Sequence, residues 1–215
     1  MTHRICSSMA IRRGVQLLLL LLAAGGTVQG QPLAGKDLVT ALHRGGYVIL
    51  MRHASSPRVP PDPSQADAGN VQHERQLDEL GRSSARAMGE ALRRLRIPIG
   101  QVLSSPTYRA LETIRLAQLG QANTDAHLGD SGQSMQVESS GERAAWLREK
   151  VAQRPAGGTN TIIVTHFPNI NEAFAGNAAG LGDGEALVFR PDGHGAATFV
   201  TRVKIEEWPQ LAAAH

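Results

Sequence analysis

Cysteine is nearly absent. The 215-residue chain has one, Cys6, which lies ahead of an apolar run and so is not placed as a lipidation site. A chain without cysteine beyond that point excludes disulfides, thiol catalysis and cysteine-bound zinc. It also suits an oxidising compartment, where a free thiol is a liability. A long apolar stretch is missing as well, apart from the N-terminus, so no other segment is predicted to span a membrane. An excess of either charge is the third absence. The whole chain carries 22 basic and 19 acidic residues. Arg4, Arg12 and Arg13 precede any acidic residue, so beyond residue 30 the balance is 19 against 19 and the net charge is about zero. The calculated basic pI therefore carries no message about nucleic acid.

What is present begins with a three-part N-terminus. The three arginines precede an apolar run from Val15 to Ala24 dominated by Leu17–Leu22, and small residues follow. Val28 and Gly30 fall at the minus-three and minus-one positions of a cleavage site before Gln31. This is the layout of a secretory signal peptide, and the run is short for a bilayer span. The expectation is a signal peptide over residues 1–30, one domain over 31–215, and a periplasmic or secreted location. An uncleaved N-terminal anchor is the alternative.

The rest of the chain alternates helix and strand signals. Asp37 to His43 read as a short helix stopped by Gly45-Gly46. Tyr47 to Met51 read as a buried strand, lifting Arg52 and His53 to its end. Ser55 to Asn70 hold Pro57, Pro60, Pro61 and Pro63 and read as a loop leaving the site. A lid or specificity wall and a plain surface excursion are equal readings of it. Asp78 to Arg96 give the clearest helix, with Leu77, Leu80, Ser84, Met88, Leu92 and Leu95 on one face and a solvated arginine face opposite. Gln101 to Ser104 form a second strand, followed by a helix with Ser105 as cap and Pro106 in its first turn. Arg109 then lies one turn in. A helix N-terminus with an arginine suits an anion, although Arg109 could equally pair with Glu112.

Gly120 to Ser140 lack periodicity and read as loop. Gly141 to Gln153 form a helix, Thr161 to Thr165 a third buried strand ending in His166, and Pro168 opens another helix. Ala186–Arg190 and Thr198–Ile205 read as strands of an edge hairpin, with Glu206–His215 as a tail. No internal repeat or interdomain linker appears. Helices between buried strands predict a three-layer α/β/α sandwich, with a mostly parallel central sheet and an antiparallel edge hairpin. In such sheets ligands bind at the carboxyl ends of the strands. Two arginines and two histidines gathered there describe a dianion pocket. Guanidinium matches phosphate oxygens bidentately, while one neutral histidine can act as a nucleophile. Zinc binding by the same histidines lacks a third ligand at suitable spacing.

These residues resemble the signatures of the histidine phosphatase superfamily, which includes the phosphoglycerate-mutase-like enzymes. Leu50-Met51-Arg52-His53-Ala54 is similar to its Arg-His-Gly motif, with Ala54 in place of the glycine. Ser104 to Thr113 resemble the second signature, Val164-Thr165-His166 the third, and Arg75 to Arg82 the segment leading into the first long helix. The resemblance implies a phosphoglycerate-mutase-like fold and a phosphatase needing no metal or cofactor. His53 would become a phosphohistidine, and Arg52, Arg109 and His166 would hold the phosphoryl oxygens and stabilise the transition state. The expected proton donor is Glu185, with Asp183 and Glu138 behind it. The expected partner is a small phosphorylated substrate or an envelope glycan phosphate, with no nucleic acid and no membrane once the leader is removed. A non-catalytic phosphate-binding or envelope-interaction protein that kept the pocket is the competing reading.

Overall fold

Strand β1 (Val48–Arg52) lies inside a six-stranded sheet because its side chains are apolar on both faces. Val48 and Leu50 pack to one side, Ile49 and Met51 to the other, the pattern of a strand covered by helices twice over. β4 (Asn160–Thr165) repeats the pattern and is buried along its whole length. The structure is a computed structural model that describes residues 1–2, 32–130 and 140–215. The predicted leader and Glu138 lie outside the described residues. The folded unit runs from Gln31 to His215.

The sheet order is β3-β2-β4-β1-β5-β6. β2 (Ile99–Ser104) and the two-residue β3 (Asn123–Thr124) run parallel to β4 and β1. β5 (Ala186–Pro191) turns back antiparallel to β1 and pairs with β6 (Ala197–Val203). This is the mixed sheet with an antiparallel edge pair that the sequence predicts. α1 (Gly35–His43), α2 (Glu79–Arg94), α3 (Tyr108–Ala117) and α6 (Glu207–Ala213) cover one face. α4 (Ser140–Ala152) and α5 (Phe167–Ala178) cover the other.

Three elements differ from their sequence reading. Leu80, expected on the buried face of α2, is 69% exposed. Leu77, Met88, Leu92 and Leu95 are buried as expected, and Gly81, Ala85, Gly89 and Ala91 complete the buried stripe. These small residues bring the helix close to its neighbours. A Cβ on Gly81 would run into the Ser55 carbonyl, and one on Gly89 into that of Ala117. The tail expected at Glu206–His215 is mostly helical, and Trp208 anchors it at 1% exposure. Burial of such a ring contributes several kcal/mol, on the order of 3–5 by truncation data. β3, inside a stretch read as loop, is held by register with Leu103 and Ser104.

Candidate active site

The register of the central strands assembles the site. Arg52 of β1 pairs with Thr165 of β4, so His53 and His166, each one residue past its strand, come side by side. The His53 amide donates to the Thr165 carbonyl at 3.0 Å, and the imidazole centroids are 5.2 Å apart. β2 lies on the far side of β4, where the Ser105 amide bonds the Val164 carbonyl at 2.9 Å. The chain then turns into α3 and delivers Arg109 between the two histidines. All three are almost wholly buried: His53 at 3%, His166 at 2% and Arg109 at 1% exposure.

Arg109 is the hub. Its Nε donates to His53 Nε2 at 3.2 Å, and its Nη2 donates to His166 Nδ1 at 3.1 Å and to Asp130 Oδ2 at 2.5 Å. The alternative partner, Glu112, is taken by Arg115 at 2.6 and 2.7 Å. The bonds assign both imidazole tautomers. His53 Nδ1 donates to the Ala54 carbonyl at 2.8 Å, which leaves a lone pair on Nε2. His166 Nδ1 accepts from Arg109, so its Nε2–H donates to the Ser105 hydroxyl at 2.9 Å, with Thr107 Oγ1 at 3.4 Å. Burial pushes the His53 pKa down from 6.5 to about 3. The Ala54 carbonyl opposes that shift, and Arg109, Arg52 and Arg75 reinforce it. Burial, Arg109 and His53 likewise hold His166 well below the ordinary range. Near neutrality both rings are uncharged, and His53 presents a nucleophilic nitrogen.

Arg52 approaches from the other side, donating to the Leu181 carbonyl at 3.2 Å and lying 2.5 Å from Asp183. The Arg52 Nε and the Arg109 Nη1 are buried with no hydrogen-bond partner. Buried N–H donors are rarely left unpaired, and an anion's oxygens would satisfy both. Burial lowers the Arg109 pKa, with Arg75 adding to the effect, but the guanidinium remains a cation at working pH.

The helix carrying Arg109 is capped differently from the sequence reading. Its N-cap is Thr107, with no side-chain cap bond of its own. The Tyr108 amide instead donates to Glu74 Oε2 at 3.1 Å. Ser105 and Thr107 spend their hydroxyls on one another and on His166. Ala54, the departure from the family motif, is fully buried in the core and is not among the residues with positive φ. Alanine therefore sits there without backbone strain.

Arg75, Asp130 and Glu74 belong to the site and were not singled out individually from sequence. Arg75 donates to the carbonyls of Pro57 at 2.6 Å and Ser56 at 3.3 Å, and its charge reaches both histidines. The excursion after Ser55 that brings it there is tied down. Buried Asn70 donates to the Glu74 carbonyl and accepts from its amide at 2.7 and 2.9 Å, while Arg82 holds Asp67 at 2.9 Å. This network favours a wall over a loose excursion.

Glu185 does not suit the donor role expected of it. Arg202 grips both its oxygens at 2.9 and 2.7 Å, and the Gly182 amide donates to it at 2.8 Å. Burial works to raise its pKa, but these three bonds carry it below the ordinary carboxylate value. A carboxyl held ionised has no proton to give. Asp183 sits on Arg52 at the rim.

Residues 48–130 match the model of the histidine phosphatase superfamily (branch 1), a segment that contains Arg52, His53, Arg75, Arg109 and Asp130. The fold is shared with the structure of the protein histidine phosphatase SixA complexed with tungstate. That match has a TM-score of 0.54 at 20% identity and covers 75% of this chain and 98% of the other. It is shared also with mycobacterial hydrolase 1, at a TM-score of 0.50 and 18% identity, covering 72% and 96%. No curated protein matches the chain. The matched segment carries His53 at a strand end, beside Arg109. Over those residues the chain is similar to the histidine phosphatase superfamily (branch 1), and its fold is that of the two solved structures.

Proposed function

We propose that the protein is an exported phosphatase that works through a phosphohistidine on His53 without help from a metal. The observation that carries this reading is a neutral His53 Nε2 beside two buried, unpartnered guanidinium N–H groups, on Arg52 and Arg109. A phosphoryl group would place its oxygens on those donors, with Arg75 adding to the positive field and neutral His166 holding Arg109 through Nδ1. His53 would attack phosphorus in line as the bond to the leaving group breaks. Water would then cleave the phosphorus–nitrogen bond, releasing phosphate and the free imidazole. Fixed cations aimed at the developing charge are the main source of acceleration in such chemistry.

The carboxylates nearby sharpen the substrate. Asp130, Asp183 and Glu185 each pair with an arginine, so none of these three described carboxylates is free to serve as proton donor. That favours a phosphoramidate, or a phosphomonoester with a good leaving group, over an alkyl ester that needs strong general-acid assistance. A phosphorylated envelope glycan remains the exported alternative. The experiment is hydrolysis of phosphoramidate, p-nitrophenyl phosphate and sugar phosphates by the purified protein, with and without EDTA. Activity that survives EDTA and disappears in His53→Ala supports the proposal. Absence of turnover across the panel refutes it in favour of a phosphate-binding protein. For export, N-terminal sequencing of secreted material should read from near Gln31, and a start at Met1 contradicts cleavage.

A further inference from the structure

The end of the sheet opposite the histidines carries a second concentration of positive charge. Two glycine turns lie there, Gly45-Gly46 leading into β1 and Gly157-Gly158 leading towards β4. Gly45, Gly46 and Gly158 have φ of 72°, 89° and 76°, a region open to glycine at little cost. The turns stack backbone on backbone. Gly46 N–H donates to the Thr159 carbonyl at 2.7 Å, and a Cβ on Gly45 would run into the Gly158 carbonyl carbon. Over this bare backbone Arg44, Arg154 and Arg190 line a pocket of about 360 Å³.

The charges there are uncompensated. No aspartate or glutamate lines the pocket. None of the three arginines has a carboxylate partner among the described residues. Arg154 makes one bond, to the Asp192 carbonyl at 3.0 Å, while the Asp192 carboxylate accepts from the His194 and Ala196 amides of its own hairpin. The Ala41 and Leu42 carbonyls near the end of α1, which would repel an anion, are occupied by the Arg44 and Gly45 amides. The adjoining depression beyond Arg154 adds Lys150 and again no acid. Three guanidinium groups around bare glycine backbone form a concavity that attracts oxyanions, and each can grip one bidentately.

We propose that this pocket binds a small oxyanion, inorganic phosphate or a phosphomonoester dianion, at a site separate from the catalytic rim. The five residues of β1 put the two sites roughly 16 Å apart along the strand. The proposal goes beyond the catalytic reading and stands without it. The test is a titration of the full-length, ¹⁵N-labelled protein with inorganic sulfate, a phosphate dianion mimic that is not turned over. Saturable shifts of the Gly46, Gly157 and Gly158 amides are expected. In Arg44→Gln/Arg190→Gln the apparent affinity at these amides should fall at least tenfold, while shifts around His53 and His166 persist. Shifts confined to the histidine rim in the wild-type protein overturn the proposal even if the double variant fails to fold. Glycine shifts that are unchanged in a well-dispersed double variant overturn it as well.

Discussion

Replacing Arg109 by lysine keeps the charge and removes the geometry. One guanidinium spans His53 Nε2, His166 Nδ1 and Asp130 at 3.2, 3.1 and 2.5 Å, and its Nη1 waits buried for an acceptor. A single ammonium on a straight stem can meet one of these groups and must abandon the others. Loss of two charge-assisted hydrogen bonds, each worth about 1.5–3 kcal/mol, removes about 3–6 kcal/mol of interaction. If that interaction serves the transition state, kcat/KM falls by about 150- to 25,000-fold. The assay is steady-state hydrolysis of p-nitrophenyl phosphate by Arg109→Lys, with circular dichroism to establish that the variant is folded. A folded lysine variant within tenfold of wild type would refute the bridging role and reduce Arg109 to a diffuse positive charge.

Other expectations follow from particular side chains. His53 has a folded pKa of about 3 against an ordinary 6.5, so between those values the unfolded chain binds the extra proton. Its share of stability is present above pH 6.5 and is lost as pH falls towards 3, about 2–3 kcal/mol by pH 4.5. Denaturant titrations at pH 7 and 4.5 should show a smaller acid loss in His53→Gln than in wild type, and an equal loss contradicts the buried neutral imidazole. Glu185→Gln should leave kcat within about threefold, whereas removal of a true general acid costs about 100-fold or more. Trp208→Ala should destabilise by about 3–5 kcal/mol, read from the urea midpoint. A loss below about 1 kcal/mol would mean that α6 is the dispensable tail its sequence suggests.

The strands and their terminal histidines were legible because buried parallel strands are written as unbroken apolar runs. Val48–Met51 and Ile162–Val164 admit little else, and register then fixes where His53 and His166 meet. The arginine after Pro106 was legible from its place behind a helix start. The face of α2 was legible through Leu77, Met88, Leu92 and Leu95 but not at Leu80, because tallying large apolar residues favours Leu80 while close approach is made by Gly81, Ala85 and Gly89. Those small residues carry almost no hydrophobic signal. α6 was hidden for a related reason, since Trp208 anchors a short segment with little other apolar signal than Leu211. Arg75 and Asp130 reach the site through folding of loops with no periodicity of their own. Glu185 was placed correctly at the head of β5, but its partner Arg202 lies on the neighbouring antiparallel strand. Sequence adjacency could not reveal that pairing.

The central claim is that His53 becomes covalently phosphorylated. The direct measurement is rapid acid-free quenching of the protein with ³²P-labelled phosphoramidate, followed by mass spectrometry of the labelled peptide. The account predicts a base-stable, acid-labile phosphate on the peptide containing Met51-Arg52-His53, absent from His53→Ala and present in Glu185→Gln. Turnover without any label on that peptide, or label that survives acid, would contradict it.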